Sequence, residues 1–180
     1  MKPLFKGKLV RLAAPLPDDN LHFARWSEDD VYARLVDDDP MQPQTADSFH
    51  FGSSATGYYF HLRTLADDTL IGFVVLFSIK WSNQTAMLAI GIGEETYRGK
   101  GYGSDALALI LNYAFNELNL YRVGLSVMSY NTAAIRAYER AGFVREGMTR
   151  GAILREGQRH DMVNYGILRD EWLAAQSTDS

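Results

Sequence analysis

Lys8-Leu9-Val10-Arg11-Leu12 alternates polar and apolar side chains until Pro15 and Pro17 stop it, the pattern of a strand with one covered face. Asp18 or Asp19 is placed to cap a following helix with Leu21, Ala24, Arg25 and Trp26 in its first turns. From Val31 to about Gly57 the periodicity fades. Asp37-Asp38-Asp39-Pro40 breaks the chain there, and Thr45 or Asp47 starts a second, short helix. Tyr58 to Leu65 and Leu70 to Ile79 read as two strands joined by the turn Ala66-Asp67-Asp68-Thr69. The second is an almost unbroken apolar run, which predicts burial on both faces. After Ser82-Asn83-Gln84 a third strand runs from Thr85 to Ile92, so the three are expected to form an antiparallel meander.

The second half changes period. Leu107, Ile110, Leu111, Ala114 and Leu118 share one face of a predicted helix from Ser104 to Leu118. Arg122 to Met128 reads as a strand. Asn131 to Ala141 reads as a helix stopped by Gly142, the usual residue where a helix ends left-handed. Two strands follow, Phe143 to Ile153 and Asp161 to Leu168, and the tail from Ala174 is expected to fray. Strands and helices intermixed in this way predict an α/β fold, and residues 1 to 180 read as one domain.

Composition narrows the chemistry. With 47% hydrophobic and 22% charged residues the chain is ordinary globular material, and a formal charge of −4 argues against a nucleic acid partner. The absence of cysteine excludes disulfides, thiolate metal sites and a cysteine nucleophile. His22, His50, His61 and His160 lack metal-ligand spacing, so no metal is expected. Met1 to Phe5 does not look like a signal peptide, and the longest apolar run is too short to span a bilayer. The expectation is a soluble cytoplasmic protein without a membrane partner, as monomer or homodimer.

The strongest local signal is Arg98-Gly99-Lys100-Gly101-Tyr102-Gly103 between a strand and a helix. Unpaired amides at a helix start, the helix dipole and glycines that admit a close anion make this a candidate phosphate cradle, with Arg98 and Lys100 supplying charge. It lacks the Lys-Ser/Thr ending of the nucleotide P-loop, and the meander before it does not suit a dinucleotide fold. A tight strand-to-helix turn with incidental basic residues is the other reading of the loop by itself.

The same residues resemble the GNAT superfamily of N-acetyltransferases, whose signature Arg/Gln-x-x-Gly-x-Gly/Ala is matched by Arg98, Gly101 and Gly103. The resemblance continues through Leu120-Tyr121-Arg122-Val123, Asn131 to Phe143, Glu146-Gly147 and Gly157 to Asp161, covering about Ile90 to Leu168. Within that superfamily the tail looks most like the ribosomal-protein N-terminal (alanine/serine) acetyltransferases, and spermidine acetyltransferases share much of the pattern. The resemblance implies a mixed, mostly antiparallel sheet flanked by helices, with a cleft between the strands before and after the glycine-loop helix. It implies acetyl-CoA as co-substrate and an amine-bearing acceptor. The pyrophosphate would lie on the amides of Arg98, Gly99, Lys100, Gly101, Tyr102, Gly103 and Ser104. The pantetheine arm would lie along Ile90, Ile92 and Gly93, with Asn131 bonding it. Tyr138 would donate toward the leaving sulfur, and Glu94 (or Glu95) is the candidate base at the end of a strand that holds no carboxylate. A lysine-type amine near pKa 10.4 is neutral in only about one molecule in 2,500 at pH 7, an α-amine near 7.8 in roughly one in seven. Without a strong base, the expected acceptor is a protein or peptide N-terminal α-amine. The alternatives are a small amine (polyamine, amino acid or aminoglycoside) or a non-catalytic acyl-CoA-binding module.

Overall fold

In the computed structural model, which describes residues 3–178, β1 (Val10–Ala13) pairs with β2 (Tyr58–Thr64). β2 continues antiparallel to β3 (Leu70–Lys80) and β3 to β4 (Thr85–Ile92), so the expected meander is present with one more strand at its edge. Met1 and Lys2, in the segment read above as unlike a signal peptide, and Asp179 and Ser180, in the tail expected to fray, lie outside the described residues. The sheet is completed by β5 (Arg122–Met128), β6 (Val144–Arg155) and β7 (Gln158–Leu168), in the order β1-β2-β3-β4-β5-β7-β6. Among the described residues only the β4–β5 pair is parallel.

Helix α3 (Tyr102–Asn112) packs its apolar stripe on the meander: Leu107, Ile110, Leu111 and Ala114 are buried with Ile71, Val74 and Leu76 of β3. It starts two residues before the expected Ser104 and runs on through a π-turn, in which Leu118 N–H reaches Tyr113 O at 3.0 Å. Asp105 in its first turn accepts the amides of Lys8, Leu9 and Val10 at 3.0, 2.7 and 3.0 Å, which ties the N-terminal segment to the helix. The opposite face of β3 carries Leu70 and Phe73 into a second cluster with Phe23, Trp26 and Tyr32. β3 is therefore covered on both faces, as its apolar run predicted.

Phe23 and Trp26 come from α1 (Asn20–Trp26), and Tyr32 from α2 (Asp30–Val36), a helix the fading pattern did not reveal. At seven residues α2 has little intrinsic stability. Asp29 starts it by accepting the amides of Val31 and Tyr32 at 2.9 and 3.1 Å. Asp19 stands at the expected cap position of α1, but its side chain makes no cap bond there: it accepts Leu16 N–H at 2.9 Å and turns its carboxylate inward, 3% exposed.

Helix α4 (Thr132–Arg140) stops at Gly142, whose φ of +98° is the left-handed conformation expected there. β6 and β7 are longer than expected and meet in a two-residue turn, Glu156-Gly157, with φ of +50° and +74°. That hairpin tip reaches back to the N-terminal half: Glu156 accepts from Arg34 at 2.6 Å, and Arg155 donates to the carbonyls of Asp37 and Asp39 at 2.8 and 3.3 Å. The tail does not fray at Ala174. It continues as α5 (Arg169–Thr178), anchored by Trp172, whose ring lies 5.4 Å from that of Phe115. No helix among the described residues is long and apolar enough to cross a membrane.

Candidate active site

β4 and β5 run side by side only where Thr85–Met87 face Arg122–Gly124. Beyond that β4 follows β3 as far as Ile92↔Gly72, while β5 follows β7 as far as Met128↔Met162. The strands part, and the inner edges of Leu88–Ile92 and Leu125–Met128 have no sheet partner. A cavity of about 380 Å³ lies along the β4 side of the opening, lined by Ile90, Gly91 and Ile92, by Ala134, Ala137 and Tyr138 of α4, and by the glycine loop.

That loop is built for an anion. Gly99 and Gly101 have φ of +71° and +89°, and a methyl group at either would meet no close obstacle, so the demand for glycine there is conformational. Asp105 N–H is the first amide of α3 to find a main-chain acceptor, Gly101 O at 3.0 Å. The six amides before it, Gly99 to Ser104, find none among the described residues. Helix-start amides left open in this way, reinforced by the helix dipole, bind phosphate oxygens.

Arg98 takes a different part from the one expected. Its guanidinium turns back and donates to the carbonyls of Ile92 and Gly93 at 3.0 and 2.7 Å and to Asp29 at 2.9 Å, while its own amide is held by Glu95 O. It borders the cavity but fastens the loop to β4 and α2. Gly93 is likewise a packing residue, since a side chain there would collide with the Trp26 indole. Lys100 is exposed, and Tyr102 stands edge-on to Tyr97 at 5.0 Å; neither lines the cavity. Positive charge at the mouth comes instead from Arg136 and Arg140, exposed, one turn apart on α4, and without an ion-pair partner among the described residues. The sequence reading missed them, although their four-residue spacing on a predicted helix was visible.

Gly103, Ser104, Asn131 and Tyr138 all border the cavity. Asn131 caps α4, its Oδ1 accepting Ala134 N–H at 3.2 Å, while its Nδ2 donates to Leu35 O at 3.2 Å. The Tyr138 hydroxyl has no hydrogen-bond partner among the described residues, and burial pushes its pKa up to about 12. Glu94 is drawn away: Arg25 pairs with its carboxylate, Trp26 Nε1–H donates to it at 3.1 Å, and it does not border the cavity. No carboxylate or histidine is among the residues lining the opening.

A second cavity, of about 280 Å³, lies between α1, α2 and β3, and Tyr32 and Val36 of α2 line both. Behind its rings is a buried charge cluster. His61, fully buried, meets Asp19 through Nδ1 at 2.6 Å, Arg63 pairs with the other carboxylate oxygen, and His61 Nε2 has no partner. Burial lowers the His61 pKa, since Arg63 already balances Asp19 and no second cation is required.

A parted β4–β5 pair, a helix start with open amides and a buried tyrosine whose hydroxyl has no partner among the described residues are features expected of a coenzyme-dependent acyltransferase. The chain belongs to the acetyltransferase (GNAT) domain family, whose model matches residues 10–144. It is 36% identical over 115 residues to "Probable N-acetyltransferase YjcK" of Bacillus subtilis (strain 168), covering 63% of each chain. It is 34% identical over 108 residues to "Putative ribosomal N-acetyltransferase YdaF" of the same organism, covering 60% of this chain and 58% of that one. Spermidine N(1)-acetyltransferase of Vibrio cholerae serotype O1 is 33% identical over 108 residues, covering 60% and 62%. These alignments thus span less than two thirds of each relative. Among solved structures, spermidine N-acetyltransferase from Vibrio cholerae in complex with CoA and spermine superposes with a TM-score of 0.80, 24% identity, and coverage of 91% of this chain and 98% of that one.

Proposed function

We propose that the protein transfers an acetyl group from acetyl-CoA to a primary amine, and that the acceptor is a protein or peptide N-terminal α-amine. The observation that carries the transfer is the continuity of the β4–β5 opening with the open amides of Gly99 to Ser104. A diphosphate on those amides, with Arg136 and Arg140 beside it, would leave an extended thiol-bearing arm running along Ile90–Ile92 toward Tyr138. Unpaired strand edges favour such an arm, because it supplies the missing hydrogen bonds.

In the proposed reaction the neutral amine nitrogen attacks the thioester carbonyl carbon. The C–S bond breaks with its electron pair going to sulfur, and the nitrogen gives its extra proton to solvent. Tyr138 is the group placed for the sulfur. A hydroxyl near pKa 12 facing a thiol near 8.5 makes complete proton transfer uphill by roughly 5 kcal/mol. Its role is therefore a hydrogen bond that strengthens as charge gathers on sulfur. We assign no base to Glu94, which its bonds to Arg25 and Trp26 hold outside the opening.

A cavity without a base suits an amine that loses its proton easily, which supports the α-amine. The second reading, a small amine such as a polyamine, draws support from the spermidine acetyltransferase relatives. Calorimetric titration with acetyl-CoA is the test, comparing wild type with Gly101→Asp and with Arg136→Ala/Arg140→Ala. Micromolar binding that is lost in the first variant and weakened in the second supports the reading. No binding by a folded wild type removes it.

A further inference from the structure

We infer that the second cavity selects the acceptor by an apolar, preferably aromatic, group carried on the carbon next to the primary amine. This rests on the acetyl-transfer reading of the first cavity and names the amine that would reach it. Tyr32 and Val36, one helical turn apart on α2, form a common wall of the two cavities. A group seated in the second therefore has only that helix face between it and the opening beside Ile90–Ile92.

The walls are aromatic. Phe51 stacks on Tyr59 at 4.8 Å and Tyr59 on Phe73 at 5.7 Å, with Phe23 tilted against Phe51 at 4.4 Å. A volume of about 280 Å³ is at the small end for a ligand site, enough for one compact group rather than a long chain. Charge is confined to the rim, where the exposed carboxylates of Asp37 and Asp39 border the cavity. No charged side chain lines the interior, and burial raises the pKa of both Tyr32 and Tyr59, so their hydroxyls stay neutral.

These features separate two kinds of amine. A neutral primary amine that carries a single apolar substituent brings no charge among these rings. A polyamine would push a further ammonium among neutral rings with no counter-ion, and an unpaired buried charge is strongly disfavoured. Alaninamide would leave most of the aromatic surface unfilled.

The test is CoA release from acetyl-CoA with phenylalaninamide, leucinamide, alaninamide and spermidine, at one pH and beside calorimetric binding of acetyl-CoA. The inference expects kcat/KM for phenylalaninamide to exceed that for alaninamide and for spermidine by about 10-fold or more. It also expects Ala33→Phe, which fills the second cavity without touching the first, to bring the phenylalaninamide-to-alaninamide ratio close to unity while acetyl-CoA still binds. Spermidine or alaninamide used as well as phenylalaninamide, with acetyl-CoA bound normally, overturns the inference and leaves the transfer reading standing. So does the absence of CoA release with phenylalaninamide. Failure of acetyl-CoA to bind removes both readings at once. Should Ala33→Phe not fold, the wild-type panel decides. A peptide beginning with Phe, run beside phenylalaninamide, assigns the source: a chain terminus if the peptide is used better, a free amine if it is not.

Discussion

Arg98 Nη2 donates to Asp29 Oδ2 at 2.9 Å, and this contact joins the glycine loop to the helix that forms one wall of both cavities. The other oxygen of Asp29 already caps α2, so one carboxylate starts the helix and receives the loop's arginine. The loop and the α2 wall are thereby held as a unit.

Asp29→Ala is expected to lower stability by about 1–2 kcal/mol in urea denaturation, most of it from the lost cap. The ion pair is partly exposed, so a double-mutant cycle with Arg98→Ala should return a coupling of about 0.5–1 kcal/mol. A coupling indistinguishable from zero would mean that the two groups contribute independently.

Gly101→Ala is expected to cost about 1–2 kcal/mol, because alanine resists a φ of +89°. If phosphate lies on the amides that this conformation presents, acetyl-CoA affinity falls with it. Gly52→Ala, at a position with open space and an ordinary backbone, is the matched control and should change neither quantity. Thermal melts and calorimetry on the pair check both parts.

Removing the Tyr138 hydroxyl breaks no hydrogen bond within the described residues, so Tyr138→Phe should leave stability within about 0.5 kcal/mol of wild type. The rate should fall by about 10²–10⁴-fold with acetyl-CoA binding intact. With a pKa near 12, the wild-type hydroxyl stays protonated through pH 10, so activity should hold there rather than decline as it would with an ordinary tyrosine. Stopped-flow rates from pH 7 to about 10 test the point.

Stability should fall as pH drops below the ordinary histidine value of 6.5, because burial holds His61 below it, and burial together with Arg25 holds His22 below it. Between those lowered values and 6.5 the unfolded chain binds protons that the folded chain refuses, so stability increases with pH across this window and levels off above it. A second loss begins below the ordinary aspartate value of 3.8. Burial pushes Asp19 up, but hydrogen bonds from Leu16 N–H, His61 and Arg63 outweigh it and hold its pKa down. Urea midpoints measured against pH should show both limbs, and His61→Gln should shrink the upper one to the part that His22 contributes.

The elements with a clear repeat were legible: the meander, the buried face of α3 and the stop at Gly142 all follow from local pattern. Helix α2 was not, because seven residues carry too little periodicity, and it depends on the Asp29 cap and on contacts from the far end of the chain. Helix α5 was missed for a related reason, since among its described residues Trp172 is the one buried side chain in a mostly polar segment. The glycine loop was legible as a conformation, through residues that only glycine suits. The partner of Arg98 was not, because it is a carboxylate 69 residues away that no local pattern points to. The same holds for Glu94, which meets Arg25 across an equal separation.

The hairpin tip that clasps α2 sets an order of assembly. Arg34 and Glu156 are 122 residues apart, and Arg155 and Asp37 are 118 apart, whereas the glycine loop is formed by neighbours in the chain. Contacts of such long range are slow to form, since a large loop must close before any of them is made. During synthesis the glycine loop can take shape while the C-terminal strands are still being made, but α2 gains its outer clasp only after residue 156 has emerged. Helix α2 thus receives its outer contacts late in synthesis, and it is a region where a slow folding phase or an early proteolytic cut is expected.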